Sequence, residues 1–98
     1  MENKKIITLD LTGCKHLGEM HERIRVTFNF PKWYGANWDA FWDLLWSDVD
    51  ANKVVILGAN TMPEELENCV EKMKSILERL KNHRKQFNFI FDYEFVDN

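Results

Sequence analysis

Residues 31–50 read Pro-Lys-Trp-Tyr-Gly-Ala-Asn-Trp-Asp-Ala-Phe-Trp-Asp-Leu-Leu-Trp-Ser-Asp-Val-Asp. Three of the chain's four tryptophans recur in this stretch at a spacing of four residues, and two aspartates keep the same spacing. Because residues four apart lie on one side of an α-helix, the pattern predicts a central helix. We expect this helix to be both the centre of the fold and the working surface of the protein. The residues at this spacing are Trp38, Trp42, Trp46, Asp39 and Asp43.

A helical wheel of this segment separates two unlike faces. One face is an apolar stripe that would pack in the core. The opposite face carries indoles and short carboxylates, whereas a solvent-exposed face usually carries Lys, Glu and Gln. A second layer of the domain would explain the indoles, and we favour that interpretation for Trp38, at the margin of the stripe. For Trp42 and Trp46 we favour an exposed binding role, since the two aspartates share their face and burying unpaired carboxylates is costly. The core-facing stripe comprises Ala40, Phe41, Leu44 and Leu45.

The flanks of this helix are predicted from local sequence. Residues 32–36 form a loop in which Gly35 permits close backbone approach. Asn37 is a good N-cap residue for the central helix. Asp39 then lies in the first turn, where the helix dipole favours a carboxylate, so its role is either helix stability or binding. Asp43 lies one turn further in, which favours a functional role.

Composition and charge narrow the classes of partner. The chain has 98 residues and a net charge of −3, which predicts a single domain over residues 1–98. Residues 32–50 contain one basic and four acidic side chains, so the net charge of this segment equals that of the whole chain. An acidic, aromatic surface argues against nucleic-acid binding, which requires basic residues over the phosphates. It favours a cationic protein partner.

Other features exclude several kinds of site. Cys14 and Cys69 follow no metal or redox spacing and are expected to be reduced thiols. His16 and His21 lie five residues apart, which does not suit metal ligation from one helix face. No phosphate-binding or catalytic motif is present, so we expect neither a cofactor nor a metal, and no enzyme activity. The N-terminal apolar run is too short for a signal peptide and no segment would span a membrane, so we expect a cytoplasmic protein.

The remaining elements complete an α/β pattern. An apolar run predicts a strand at residues 4–10 that is buried on both faces, and a continuous apolar run predicts the most buried strand at residues 53–57. Alternating aromatic residues predict a third strand at 87–95. Apolar residues at helical spacing predict helices at 17–28 and at about 63–82, the latter as one helix or two. This order favours a three-stranded parallel sheet with three to four helices and right-handed crossovers.

Three functions fit these residues. A rigid acidic helix would suit an inhibitor of a protein with a basic cleft, and its carboxylates would replace phosphates there. Tryptophans beside carboxylates would also suit a module that binds carbohydrate or another small ligand. The two aspartates point the same way from one helix, so they do not readily flank a glycosidic bond as a catalytic pair would. A homodimer formed through the tryptophan face is the third possibility.

Residues 31–45 resemble the signature of the barstar family, the intracellular protein inhibitors of barnase-type ribonucleases. The resemblance implies a barstar-like fold with a three-stranded parallel sheet, and an immunity or antitoxin role in which the loop and central helix block the enzyme's active site. It implies that Asp43 mimics the substrate phosphate. The partner would be the cognate ribonuclease or a related toxin with a basic active-site cleft, bound by a protein that is monomeric when free. The implied partner-binding residues are Trp33, Tyr34, Gly35, Asn37, Trp38, Asp39, Trp42, Asp43 and Trp46.

The chain departs from the family signature at three positions. Ala36 stands where an acidic residue is frequent, and Trp38 replaces a smaller aliphatic residue. Arg79 aligns roughly with a further acidic contact on the last helix. These departures favour a target different from the usual one, either another ribonuclease or another toxin with a basic cleft.

Overall fold

A computed structural model describes residues 5–98. In chain order the elements are β1 (Ile6–Asp10), α1 (Leu17–Phe28), α2 (Trp38–Asp48), β2 (Lys53–Leu57), α3 (Glu67–Lys85) and β3 (Asp92–Val96), with short 3₁₀ turns at Ala59–Thr61 and Glu64–Leu66. The strands are parallel in the order β1-β2-β3, with Thr8 paired with Val55 and Val55 with Glu94. The predicted α/β fold with a three-stranded parallel sheet is therefore confirmed, and the structure has three helices where three to four were predicted. Lys4, the first residue of the predicted strand, lies outside the described residues.

The helices cover one face of the sheet and leave the other open. Both crossovers step in the same direction across the sheet, and right-handed parallel connections then place their helices on the same side. Leu9, Val54 and Ile56 are fully or almost fully buried on that side, whereas Ile6 on the opposite side is 56% exposed. The prediction that β1 is buried on both faces is therefore wrong. The open face carries an ion pair of 3.0 Å between Lys53 and Glu94.

The central position belongs to β2, which was predicted to be the most buried strand. Its neighbours on both sides satisfy its backbone hydrogen bonds, and its residues alternate between buried and half-buried. Both edge strands alternate with exposed residues instead. The prediction for β2 is confirmed, because a continuous Val-Val-Ile-Leu run suits the one strand with neighbours on each side.

The third strand is shorter than its aromatic alternation predicts. Strand β3 begins at Asp92, because α3 continues to Lys85 and then requires a turn to end it. In that turn Asn88 adopts a left-handed conformation with φ 59°, and the Phe89 N–H donates to the Arg84 carbonyl. The predicted strand start at Phe87 is therefore wrong: that residue lies in the turn and is 69% exposed. The same kind of turn ends α1, with φ 58° at Asn29.

The long third helix is one helix preceded by a separate turn. The 3₁₀ turn at Glu64–Leu66 follows Pro63, and α3 then runs without interruption from Glu67. Of the two predicted arrangements, a single helix with a short entry turn is correct. Within residues 5–98, no helix combines the length and the apolar character needed to cross a membrane.

Helix α2 packs into the middle of the core. Phe41 and Leu45 are completely buried and Leu44 nearly so, as the apolar stripe predicts. Phe41 contacts the rings of Phe28 and Phe30, whose centroids lie 5.9 and 6.3 Å away. The core contacts fix which side of α2 remains available to a partner.

Candidate functional site

The N-terminus of α2 is locked by Asn37. Its side-chain oxygen accepts a hydrogen bond of 2.8 Å from the Ala40 N–H, which confirms the predicted N-cap. Its amide nitrogen donates to the Gly35 carbonyl at 3.1 Å. A Cβ atom on residue 35 would lie only 2.9 Å from that nitrogen, so glycine is needed for this contact. The loop and the first turn of α2 therefore form one braced unit.

The two loop aromatics point in opposite directions. The Trp33 side chain is 75% exposed, whereas Tyr34 is only 8% exposed and belongs to the core. The Tyr34 N–H donates to the Pro31 carbonyl at 2.9 Å, which forms the turn that separates them. Trp33 is available to a partner, and Tyr34 presents little more than an edge.

Tyr34 and Trp38 both contact a buried histidine on α1. The Tyr34 hydroxyl and His21 Nδ1 form a hydrogen bond of 2.7 Å, and the Trp38 and His21 rings lie 4.6 Å apart. Burial lowers the pKa of His21 and raises the pKa of Tyr34 well above its usual range, so both are neutral near pH 7. We call His21, Tyr34 and Trp38 the buried cluster; it attaches the loop and the start of α2 to α1.

The carboxylates of Asp39 and Asp43 are exposed and unpaired. Among residues 5–98, neither accepts a hydrogen bond through its side chain or lies within 4 Å of a basic group. By contrast, acidic side chains elsewhere on the surface form ion pairs, such as Glu22 with Arg25 at 2.6 Å and Asp50 with Lys5 at 3.0 Å. The α2 carboxylates therefore keep their capacity to accept hydrogen bonds from a partner.

The two later tryptophans lean on α3. The Arg79 guanidinium lies 3.9 Å above the Trp42 ring, within the range of a cation–π interaction. The Trp46 Nε1–H donates to His83 Nε2 at 2.6 Å, although the indole is 48% exposed. The His83 ring in turn lies 5.4 Å from that of Phe87. We call Trp46, His83 and Phe87 the exposed cluster.

Arg79 and His83 were not among the predicted site residues, although the sequence carries a signal for them. They lie four residues apart on α3, as Trp42 and Trp46 do on α2, so each pair occupies one side of its helix. Recognising the contact requires knowing that these two sides face each other. That information comes from the packing of α2 on α3 and not from either pattern alone.

The end of α2 is held by a second arginine. Arg84 Nη2 donates to the Val49 carbonyl at 2.6 Å and lies 3.4 Å from the Trp46 carbonyl. A cationic side chain at a helix C-terminus satisfies free carbonyl groups and is favoured by the helix dipole. Helix α2 is thus fixed at both ends, which gives its exposed side a defined geometry.

Most of the predicted residues are exposed or half-buried along the loop and α2. We define the α2 surface as the exposed members together with the half-buried Trp42; Tyr34 is excluded because it is buried, and the half-buried Trp38 because it packs against His21 and Phe41. Within residues 5–98, no three His, Cys, Asp or Glu side chains are arranged to hold a metal ion. The arrangement offers fixed anions and apolar area for recognition. The α2 surface comprises Trp33, Gly35, Asn37, Asp39, Trp42, Asp43 and Trp46.

A scan against protein-family models matches residues 4–95 to barstar, the barnase inhibitor. The chain belongs to the barstar family. A search of the curated proteins finds no match. This match confirms the family that residues 31–45 predicted. Members of the barstar family are inhibitors of barnase-type ribonucleases and not enzymes. The α2 surface of this barstar-family chain lies within the matched residues, and so does its contact with α3.

Proposed function

We propose that the chain inhibits a basic ribonuclease by placing its α2 surface and the preceding loop in the enzyme's active-site cleft. The observation that carries this proposal is the pair of exposed, unpaired carboxylates of Asp39 and Asp43 on a braced helix. A ribonuclease cleft holds cations for the substrate phosphates, and fixed carboxylates satisfy the same groups. The concentration of negative charge in residues 32–50 also accelerates encounter with a basic enzyme.

The bracing of α2 supports tight binding. Association costs conformational entropy for every side chain and loop that must be ordered. Here Asn37 fixes the first turn, Arg84 fixes the last, and the buried cluster holds the loop against α1. A carboxylate presented from such a frame loses less freedom on binding than one presented from a mobile loop.

The aromatic residues supply the apolar part of the contact. Trp33 is the most exposed tryptophan and Trp46 is half-exposed, and Asp39 and Asp43 lie between them in the sequence. Large aromatic side chains around a charge pair exclude water and strengthen the interaction. We assign to these two indoles the role of a rim around the carboxylates.

The carbohydrate-binding alternative has less support. A sugar platform requires an open indole face, whereas one face of Trp42 is covered by the Arg79 guanidinium at 3.9 Å. Trp46 is tilted against His83, with ring centroids 5.7 Å apart. Absence of fluorescence quenching by simple sugars is the expected result.

We further propose that the protein acts as a monomer in the cytoplasm of the producing cell, where it would protect cellular RNA from the enzyme before export. A homodimer through the α2 surface would bring Asp39 and Asp43 of two chains together, and like charges oppose that contact. Sedimentation should therefore give a monomer at every concentration tested. Dimer formation that is lost in a Trp46→Ala variant would contradict this expectation.

The decisive experiment is inhibition of barnase-type ribonucleases by the wild-type chain and by Asp43→Asn, which removes the charge but keeps the shape. We expect a loss of about 2–5 kcal/mol, a general range for charge pairs buried in interfaces in which members of this family are among the measured examples. That loss corresponds to roughly 30-fold or more in the inhibition constant. The enzyme panel should include ribonucleases captured on the immobilised wild-type chain.

Glu64→Gln is the matched control. Glu64 is another exposed carboxylate, in the turn before α3 and outside the α2 surface. Its substitution changes the net charge equally and should leave inhibition near the wild-type level. Equal effects of the two variants, or inhibition that is indifferent to Asp43 and to salt, would overturn the proposal.

A further inference from the structure

Arg79 is an exposed cation that lies against Trp42 of the α2 surface. Its guanidinium stacks on Trp42, the residue immediately before Asp43. A stacked guanidinium keeps its N–H donors directed outward in the plane of the group, where the indole does not reach. The stack therefore orients Arg79 without using its hydrogen-bonding capacity.

No acidic side chain of the described residues takes up that capacity. Within residues 5–98, no ion pair and no side-chain hydrogen bond involves Arg79. Its neighbour Glu78 accepts a hydrogen bond of 2.9 Å from the Tyr93 hydroxyl on the sheet side of α3. Two other cations of α3 are engaged: Lys81 pairs with Asp92 at 3.1 Å, and Arg84 binds backbone carbonyls.

The surroundings of Arg79 form a groove that continues the α2 surface. Trp42, Glu78, Asn82 and His83 line it together with Arg79, and it lies between α2 and α3. The groove offers hydrogen-bonding groups beside the guanidinium and an indole on one wall. A planar acidic group entering the groove would meet two parallel N–H donors, which is the strong, geometrically specific pairing of arginine with a carboxylate.

We infer that the ribonuclease bound by this chain presents an acidic side chain to Arg79 at the rim of its basic cleft. The inference rests on the proposed function and specifies the partner. A uniformly basic enzyme surface would be attracted by Asp39 and Asp43 but repelled by Arg79. An enzyme with a basic cleft and a carboxylate opposite α3 would attract the two aspartates and Arg79 alike. Arg79 therefore selects among ribonucleases that share the same cleft.

The test measures whether reversing the charge at residue 79 weakens or strengthens inhibition. Inhibition constants of Arg79→Glu, Arg79→Gln and Arg79→Lys are compared with wild type, using the barnase-type ribonuclease that the wild-type chain inhibits most strongly. We expect Arg79→Glu to weaken inhibition the most, and Arg79→Gln to weaken it roughly 10- to 100-fold, as when a hydrogen bond to a charged group is lost. Arg79→Lys should recover part of the loss, because it restores the charge without the bidentate geometry.

Lys74→Glu provides the control for long-range charge. Lys74 is exposed on the same helix, and its reversal changes the net charge of the chain equally. It should leave the inhibition constant close to wild type. Thermal unfolding of each variant shows whether loss of the stack on Trp42 has disturbed α2.

The outcomes separate this inference from the proposed function. If Arg79→Glu strengthens inhibition or leaves it unchanged while Asp43→Asn weakens it, the rim opposite α3 is basic or distant, and only the inference on Arg79 is overturned. If Lys74→Glu weakens inhibition as much as Arg79→Glu, the effect is not local and the inference also fails. If the wild-type chain inhibits and captures no ribonuclease, both fail.

Discussion

The two ends of α2 carry similar side chains in different environments. The buried cluster at the N-terminal end joins Trp38 to His21, and Tyr34 completes it. The exposed cluster at the C-terminal end joins Trp46 to His83 by a hydrogen bond of 2.6 Å. A tryptophan and a histidine thus pack at each end, yet we expect one pair to stabilise the fold and the other to face a partner.

The difference arises from how deeply the neighbouring elements bury each cluster. Helix α1 and the loop close over the N-terminal end, so His21 is only 3% exposed. Helix α3 lies beside the C-terminal end and leaves Trp46 and Phe87 largely open. A buried hydrogen bond has no water to replace it, whereas an exposed one competes with water at all times. The buried hydrogen bond of His21 with Tyr34 therefore has a greater energetic weight than the exposed one of His83 with Trp46.

The largest expected contrast is between truncations of the two tryptophans. Trp38→Ala should reduce the free energy of unfolding by about 2–4 kcal/mol, because it leaves a cavity beside His21 and Phe41. Trp46→Ala should cost less than about 1 kcal/mol, in keeping with an exposed position, but should weaken ribonuclease inhibition. Urea unfolding and inhibition assays on both variants measure the contrast. Equal losses of stability would remove the distinction between the clusters.

A smaller contrast tests the buried hydrogen bond itself. Tyr34→Phe keeps the ring and leaves His21 Nδ1 without its partner, so the free energy of unfolding should fall by about 1–3 kcal/mol. Tyr93→Phe is the matched control, since its hydroxyl donates to the exposed Glu78 and water replaces it there. Chemical denaturation of the two variants compares them. If Tyr93→Phe lowered the free energy of unfolding as much as Tyr34→Phe does, burial would not determine how much such a hydrogen bond contributes to stability.

The smallest expected effect is a dependence of stability on pH. Burial holds the pKa of His21 in the folded chain below its ordinary value of 6.5. As the pH falls below about 6.5 the unfolded chain takes up a proton that the folded chain resists, so the free energy of unfolding decreases. Above that pH the contribution of His21 is constant. The carboxylates whose pKa is lowered, such as Glu19 from 4.5, act only at more acidic pH.

Unfolding curves between pH 7.5 and pH 5.5 measure this slope. Replacing His21 with Gln should remove the part of the slope that arises near pH 6.5. If the same dependence on pH remained in the His21 variant, burial of neutral His21 would not be its cause.

Much of the fold is predictable because local patterns agree with the final packing. The spacing of apolar residues predicted α1 and the core stripe of α2, and the Val-Val-Ile-Leu run predicted the central strand. The errors lie where a pattern meets a tertiary requirement. Alternating aromatics favoured a strand from Phe87, but the end of α3 needs a turn there. Apolar residues on both sides of β1 favoured burial of both faces, but both crossovers place their helices on the same side.

The sequence by itself determined the helical period of residues 38–48, the cap at Asn37, the concentration of negative charge and the family signature, because each is a property of residues close together in the chain. Only the tertiary structure decided that Tyr34 points inward to His21. It also decided that Arg79 and His83 lie against Trp42 and Trp46. These contacts join residues far apart in sequence, so they depend on how α1 and α3 pack around α2.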